Sequence, residues 1–317
     1  VIIGEELAGI VEKFGDDRMA EIVPYGPEIS MESLVPEEDV VVTISREGFA
    51  KRTKVDLYRA QKRGGKGVRG ASLRSDDEIA QFLVVNTHDW LLFFTNMGQV
   101  YRTKAYELPE GGRDGRGGHV ANQLAFRPGE QIAGVLPISD YDEGKYLVLA
   151  TRRGLVKKTE LKLYDSPRSA GIIAVNLRED EDGKPDELVS AQIVNPGDDL
   201  ILVSRLGQSL RFHASDDALR PLARTTSGVR GMRFRGEDEL LAMEVVDPED
   251  DLLVVTEGGY AKRTPLSEYR VQGRGGLGVK VADLDPERGA LVGALVTDPD
   301  EEIMAVMESG KVIRVSV

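Results

Sequence analysis

Six glycines, Gly48, Gly98, Gly154, Gly207, Gly259 and Gly310, stand 50, 56, 53, 52 and 51 residues apart. Each has the same setting. A short β-branched or aromatic run leads into a turn that ends at the glycine, and a second run carrying basic residues follows. Val40-Val41-Val42-Thr43-Ile44 before Gly48 and Leu91-Leu92-Phe93-Phe94-Thr95 before Gly98 are two instances. A period near fifty residues with no helical spacing inside it restricts the chain to a repeat of small β units. One such unit cannot bury its own faces, so neighbours must stack.

Two further patterns complete the unit. The first is a Gly-rich turn entering a strand, as in Gly67-Val68-Arg69-Gly70, Gly118-His119-Val120, Gly171-Ile172-Ile173, Gly228-Val229-Arg230-Gly231 and Gly278-Val279-Lys280. The second is an acidic turn and an apolar strand, such as Glu239-Leu240-Leu241-Ala242-Met243-Glu244-Val245-Val246. About four strands in roughly fifty residues is the signature of a propeller blade, so the expected fold class is all-β. Units start near 40, 91, 146, 200, 252 and 303, which makes six, and the sixth stops after its first hairpin at Val317. Either residues 19–39 help to complete it or its C-terminal part is missing from the sequence or disordered. Residues 1–18 read differently: Leu7, Ile10, Val11 and Phe14 form the end of a helix stopped at Gly15, an arm or linker ahead of a β domain over 19–317. The chain begins at Val1, not Met, and so reads as a fragment.

Charge follows the repeat. The 317 residues carry a net charge of −13, which excludes a uniformly basic nucleic-acid binder. Yet Arg46 to Arg74 holds ten basic residues against two acidic, and Arg205 to Arg235 holds seven Arg against two Asp. Glu237 to Asp251 then holds eight acidic residues and no basic one. Equivalent positions of stacked blades lie at equivalent heights. A basic segment in each blade therefore becomes a basic belt, with acid elsewhere. Lysines that merely guard sheet edges would not gather in one segment of every repeat.

Other chemistry finds little support. There is no cysteine, so no disulfide framework, thiol nucleophile or Cys-based zinc site; a cytosolic compartment fits. No apolar run approaches a membrane span. Gly65-Lys66-Gly67-Val68-Arg69-Gly70 and Gly273-Arg274-Gly275-Gly276-Leu277-Gly278 match G-x-G-x-x-G, but neither precedes a helical pattern, which a dinucleotide site needs. His88, His119 and His213 have no ligand spacing. Trp90, Tyr58 and Tyr269 read as packing residues.

The densest basic stretch, Gln61-Lys62-Arg63-Gly64-Gly65-Lys66-Gly67, closely resembles the Gln-Arg-Arg-Gly-Gly-Lys-Gly box of the DNA gyrase A C-terminal domain family. Lys62 is the one departure; it keeps the charge and loses the planar fork of Arg. Asp39-Val40-Val41-Val42-Thr43, Val84-Val85-Asn86-Thr87-His88-Asp89, Thr226-Ser227-Gly228-Val229-Arg230-Gly231 and Phe14-Gly15-Asp16-Asp17-Arg18 look like the same family. The resemblance implies a six-bladed β-pinwheel with strands exchanged between blades and a short helical remnant at its start. It implies double-stranded DNA bent around a basic rim, a chiral wrap that lets gyrase add negative supercoils, and a bacterial, cytoplasmic, nucleoid-associated setting. It implies partners in the rest of the gyrase A protein and in the gyrase B protein, an A2B2 assembly around a domain monomeric by itself. It places the cleaving tyrosine, ATP and Mg2+ outside this domain, which itself holds no cofactor. Box residues Gln61 to Gly67 become the expected DNA anchors. By repeat position, the expected rim contacts are Lys51, Arg52, Arg69, Arg102, Lys104, Arg113, Arg116, Arg152, Lys157, Lys158, Arg168, Arg211, Arg224, Arg230, Lys262, Arg263, Arg274 and Lys280. Two other readings are a topoisomerase IV-type module that recruits DNA with little wrapping, and a propeller for protein interaction. An independent enzyme is weaker still, since no catalytic constellation stands out.

Overall fold

A computed structural model describes residues 2–16, 32–58, 79–112, 115–141, 145–298, 302–306 and 312–316. They fall into two compact units, Val1–Pro36 and Glu37–Val317. In the first, α1 (Ile2–Phe14) has Glu5 in its first turn and Lys13 in its last, each opposite in sign to its end of the helix dipole. The helix closes at Gly15, whose N–H donates to the Val11 carbonyl at 2.8 Å.

The second unit is built of blades. Blade one contains β1 (Asp39–Ser45), β2 (Phe49–Lys54) and β3 (Ile79–Asn86). Unit two supplies β4 (Trp90–Thr95), β5 (Gln99–Lys104), β6 (Gly118–His119) and β7 (Ile132–Ile138). Unit three supplies β8 (Tyr146–Thr151), β9 (Leu155–Glu160), β10 (Ile172–Ile173) and β11 (Leu188–Val194). Unit four supplies β12 (Asp199–Ser204), β13 (Gln208–His213), β14 (Val229–Arg230) and β15 (Leu240–Val246). Unit five supplies β16 (Asp251–Thr256), β17 (Ala261–Pro265), β18 (Val279–Lys280) and β19 (Leu291–Thr297). A last hairpin is β20 (Glu302–Val306) with β21 (Val312–Ser316).

The sheets run β3-β1-β2-β6, β10-β5-β4-β7, β11-β8-β9-β14, β15-β12-β13-β18 and β17-β16-β19. The short strand from each Gly-rich turn therefore completes the preceding blade, not its own. Its register repeats: Gly118 and His119 face Ala50 and Phe49, and Val279 and Lys280 face Ser209 and Gln208. The strands β3, β7, β11, β15 and β19 pack in succession against one another and form the inner edge. The outer edge belongs to the second strand of each unit and the strand donated to it.

The repeat glycines are explained by one turn. Gly48, Gly98, Gly154, Gly207 and Gly259 all have φ between +72° and +88°, where a side chain is strained. Each donates to the carbonyl of a Ser or Thr three residues earlier, and that hydroxyl accepts the next N–H, as Ser45 does from Phe49. The first strand of each hairpin is buried on both faces, hence its unbroken apolar run. Alternate residues enter different interblade cores: Leu91 and Phe93 join Val40, Val42 and Ile44, whereas Leu92 and Phe94 join Leu147 and Leu149. Each fully buried side chain of this size contributes about 1.5–3 kcal/mol before the entropy of ordering it.

The blade count corrects the six expected from the sequence. The described residues form five blades. The sixth start is real as a hairpin, β20 with β21, but it remains a two-stranded sheet of its own. A blade needs an inner strand as well, as β19 is in unit five, and among the described residues the last hairpin has none.

Candidate nucleic-acid interface

The cations of the second strands sit three and four residues beyond each turn glycine. They face the next unit's loop, and that loop consumes most of them. Lys51, 1 % exposed, donates from Nζ to the carbonyls of Gly112 at 3.0 Å and Gly115 at 2.7 Å. Lys157, equally buried, donates to the carbonyls of Ala174 and Arg224. Burial, and then the Arg224 charge, push its ammonium down to about 7. Lys158 is wholly buried, 2.5 Å from the Ala214 carbonyl and 2.7 Å from Asp216.

The neighbouring arginines are tied as well. Arg52 donates to the Leu108 carbonyl at 3.0 Å and pairs with Glu110 at 3.2 Å. Arg102 pairs with Asp165 at 2.6 Å, and both it and Lys104 lie over the Trp90 ring. Arg211 pairs with Asp199 at 2.7 Å and donates to the Leu266 carbonyl at 3.0 Å. Arg263 pairs with Asp251, Arg116 with Glu47 and Lys280 with Asp283, while Lys262 donates to the Val281 carbonyl. Lys51, Arg52, Arg102, Arg116, Lys157, Lys158 and Arg211 thus fasten residues of the next unit onto the blade before it, whereas Lys262, Arg263 and Lys280 are held within unit five.

Two arginines of the Gly-rich loops form a second stitch. Arg224 donates to the Ile173 carbonyl and Arg274 to the Arg230 carbonyl, each reaching the donated strand of the unit before. At the hairpin-turn end, carboxylates and guanidiniums alternate across blades: Arg152 bridges Glu187 at 2.9 Å and Glu239 at 3.8 Å, and Arg205 bridges Glu239 at 3.5 Å and Glu257 at 2.9 Å. Part of the acidic excess is thus spent inside the protein. Another part, Asp247 and Glu249, is exposed where β15 turns into β16.

A third set of cations is different. Arg168, Arg220, Arg230, Arg233, Arg235 and Arg270 are exposed, and among the described residues none of their guanidiniums has an ion-pair partner. All lie in the segments from the end of a second strand, through the Gly-rich loop, to just beyond the donated strand. Arg230 and Arg233 also line a groove of about 530 Å³ of mixed charge, where Arg152, Arg153 and Lys184 meet six carboxylates from Asp180 to Glu239. Of these six, Arg168 and Arg230 are among the rim contacts expected from repeat position. The other four stand in plain view in the sequence, three in the seven-arginine stretch and Arg270 in the next unit; their lack of carboxylate partners is what a sequence cannot display. The box, Gln61, Lys62, Arg63, Gly64, Gly65, Lys66 and Gly67, lies outside the described residues, as do Arg69 and Arg113.

The G-x-G-x-x-G run ending at Gly278 enters the two-residue strand β18, and no helix follows it. His119 accepts the Ala121 N–H, and His213 lies against Asp199. Among the described residues no three His, Asp or Glu side chains are grouped to hold a metal.

The blade architecture has a counterpart in known proteins. A family model described as the DNA gyrase C-terminal domain, β-propeller, matches residues 39–86, 89–139, 145–195, 198–247 and 250–298, one segment per blade. The chain belongs to the DNA gyrase C-terminal domain family. It is 60% identical over 316 residues to the DNA gyrase A subunit of Streptomyces coelicolor, covering 100% of this chain and 37% of that protein. It is 58% identical over 313 residues to the same protein of Mycobacterium tuberculosis, covering 99% of this chain and again 37% of the relative. The chain therefore spans well under half the length of these relatives. A solved DNA gyrase A C-terminal domain superposes with a TM-score of 0.71 at 31% identity, covering 87% of this chain and 89% of that one. A topoisomerase IV C-terminal domain gives 0.69 at 28% identity, covering 89% and 84%. The fold is thus shared with both enzymes, while the likeness over the whole of this chain is to gyrase A proteins. Among the described residues, no helix is long and apolar enough to cross a membrane.

Proposed function

We propose that this chain binds double-stranded DNA along the outer edge of its blades without reading bases, and that within gyrase the resulting chiral wrap drives the introduction of negative supercoils. One observation carries the reading. Six exposed arginines without ion-pair partners among the described residues lie along the outer loops, in a molecule of net charge −13. Phosphate contacts of that kind position a duplex and carry no sequence information. Bending tens of base pairs costs several kcal/mol, and many weak contacts spread along the edge offset it. If the six free arginines each displace a counterion, binding falls with salt with a log–log slope of about −5 from these residues alone.

The box is proposed as the point where the wrap is fastened, with Gln61, Lys62, Arg63 and Lys66 as anchors and its glycines allowing close approach. Strand cleavage, Mg2+ and ATP chemistry belong on this reading to the rest of the gyrase A protein and to the gyrase B protein, in a bacterial cytoplasmic assembly on the chromosome. The test uses the full-length A protein assembled with the B protein. Replacing Lys62, Arg63 and Lys66 by Ala should abolish supercoiling and leave relaxation. Supercoiling at the parent rate would show that the box is structural here. A topoisomerase IV-type recruiter would instead bind DNA with little wrapping and a correspondingly small topological effect of its own.

A further inference from the structure

Wrapping gives writhe only if the duplex advances along the blade axis as it goes round. A path at constant height is planar and gives none. An axial displacement must therefore be written into the charge of the edge, and the structure contains one abrupt loss of free positive charge.

The segment just past each donated strand packs over the hairpin turn of the preceding blade. Phe234 does so at Gly154, and Leu284 at Gly207. These residues mark the hairpin-turn end of the outer surface in units four and five. In unit four the flanking residues are Arg233 and Arg235, both exposed and without ion-pair partners among the described residues. In unit five the equivalent positions are Asp283 and Asp285, both exposed. Asp283 neutralises Lys280 of the donated strand and Asp285 pairs with Arg288 at 3.5 Å. The opposite end of the two blades does not change sign. Arg220 and Arg270, each beyond the far end of its second strand, are exposed and free of ion pairs among the described residues. A strand of five or six residues separates the two ends by about 17–20 Å.

We infer that the flank of Leu284 is a steering element: its aspartates neutralise Lys280 and Arg288, so it offers the phosphates no free cation at the hairpin-turn end and shifts the duplex toward the Arg270 end as it passes from unit four to unit five. Over unit four free arginines stand at both ends, with the exposed carboxylates Asp216, Asp217 and Glu237 beside them. Over unit five free positive charge stands only away from the turn. The contacts supply affinity and their one-sided loss supplies pitch, so the two properties separate. This inference rests on the wrapping proposed above.

Asp283→Arg gives unit five the charge that unit four already has. Asp283 is 80% exposed at its side chain and pairs with the solvent-facing Lys280, so the fold does not depend on it. Two readouts are taken with the purified 317-residue chain: duplex affinity by fluorescence anisotropy, and the linking-number change trapped when nicked circular plasmid is ligated with the chain bound to saturation. The variant should bind as tightly as the parent or up to about ten-fold tighter, since it adds one cation and releases Lys280 for a second phosphate contact, while its trapped linking-number change falls. Asp283→Asn should fall between the two and carries the test if the Arg variant folds poorly. A trapped change equal to the parent's at saturation would overturn the steering role. A parent chain that itself traps nothing would overturn the wrapping proposal first.

Discussion

Lys158 and Arg230 separate two roles that a sequence gives to one class of residue. Lys158 is 0% exposed, with Nζ on the Ala214 carbonyl and Asp216 and its ammonium 4.4 Å from the Tyr146 ring centre. In Lys158→Met the stem is replaced at similar volume, but the buried Ala214 carbonyl loses the donor it has in the structure. An orphaned buried acceptor costs about 1–3 kcal/mol, and the lost ring contact adds about 1 kcal/mol. Relief from burying an ammonium offsets part of this, leaving a net loss of about 2 kcal/mol. For a chain of 317 residues that lowers Tm by about 3 °C. No phosphate contact is removed, so the slope of log affinity against log salt stays put. Arg230→Ala does the reverse: Tm holds to about 1–2 °C, as for an exposed change, and the salt slope becomes shallower by about 1. Differential scanning fluorimetry and anisotropy over a salt series read both quantities. A Lys158→Met variant with unchanged Tm and a slope reduced by a full unit would refute the reasoning, because its ammonium would then face DNA.

Three other outcomes follow from particular residues. Burial pushes the Glu244 carboxyl up to about 7, with a Gln192 amide 2.9 Å away. Its folded value lies above its unfolded one, so its contribution is complete below the ordinary carboxyl range and is lost as pH rises through 7; Glu244→Gln should therefore raise Tm at pH 8 by a shift worth at most about 3 kcal/mol and leave Tm at pH 4 unchanged. At Gly278, φ is +76° and a Cβ would run into the Ser209 carbonyl oxygen; Gly278→Ala should destabilise the chain by at least about 1–3 kcal/mol and speed amide exchange in β18, and protection equal to the parent's would contradict the donated-strand account. Phe93, fully buried between blades one and two, should cost about 3–5 kcal/mol when replaced by Ala, measured by chemical denaturation.

The blade pattern is legible in the sequence because its cause is local. A Ser or Thr three residues before a glycine builds the turn, and only glycine sits easily at the φ required. The strand runs are legible for a related reason: the first strand packs on both faces, so Leu91 to Phe94 is apolar without a break. The number of blades is not local. The Gly310 hairpin obeys the same spacing as the others, yet what makes a blade is an inner strand packed against its neighbours' inner strands, and the spacing of hairpins cannot report it. The cations divide along the same line. Lys51, Lys157 and Lys158 look like rim charges because long stems bury while the sequence shows only their charged ends. Their partners are mostly backbone carbonyls of the next unit's loop, which no composition reveals. Arg230, on the donated strand itself, is readable by position; Arg233 and Arg235, just beyond it, need the packing of Phe234 on Gly154 to be placed.

The claim on which the rest depends is that an acidic chain wraps DNA through charge set apart on its edge. Nicked circular plasmid incubated with the purified chain at low salt, sealed by ligase and stripped of protein, tests it most directly. The account predicts topoisomers displaced in one direction, toward positive linking number, with a displacement that grows with the amount of chain bound and vanishes as salt is raised. A distribution that stays centred on the protein-free control while binding is demonstrably saturated would contradict it.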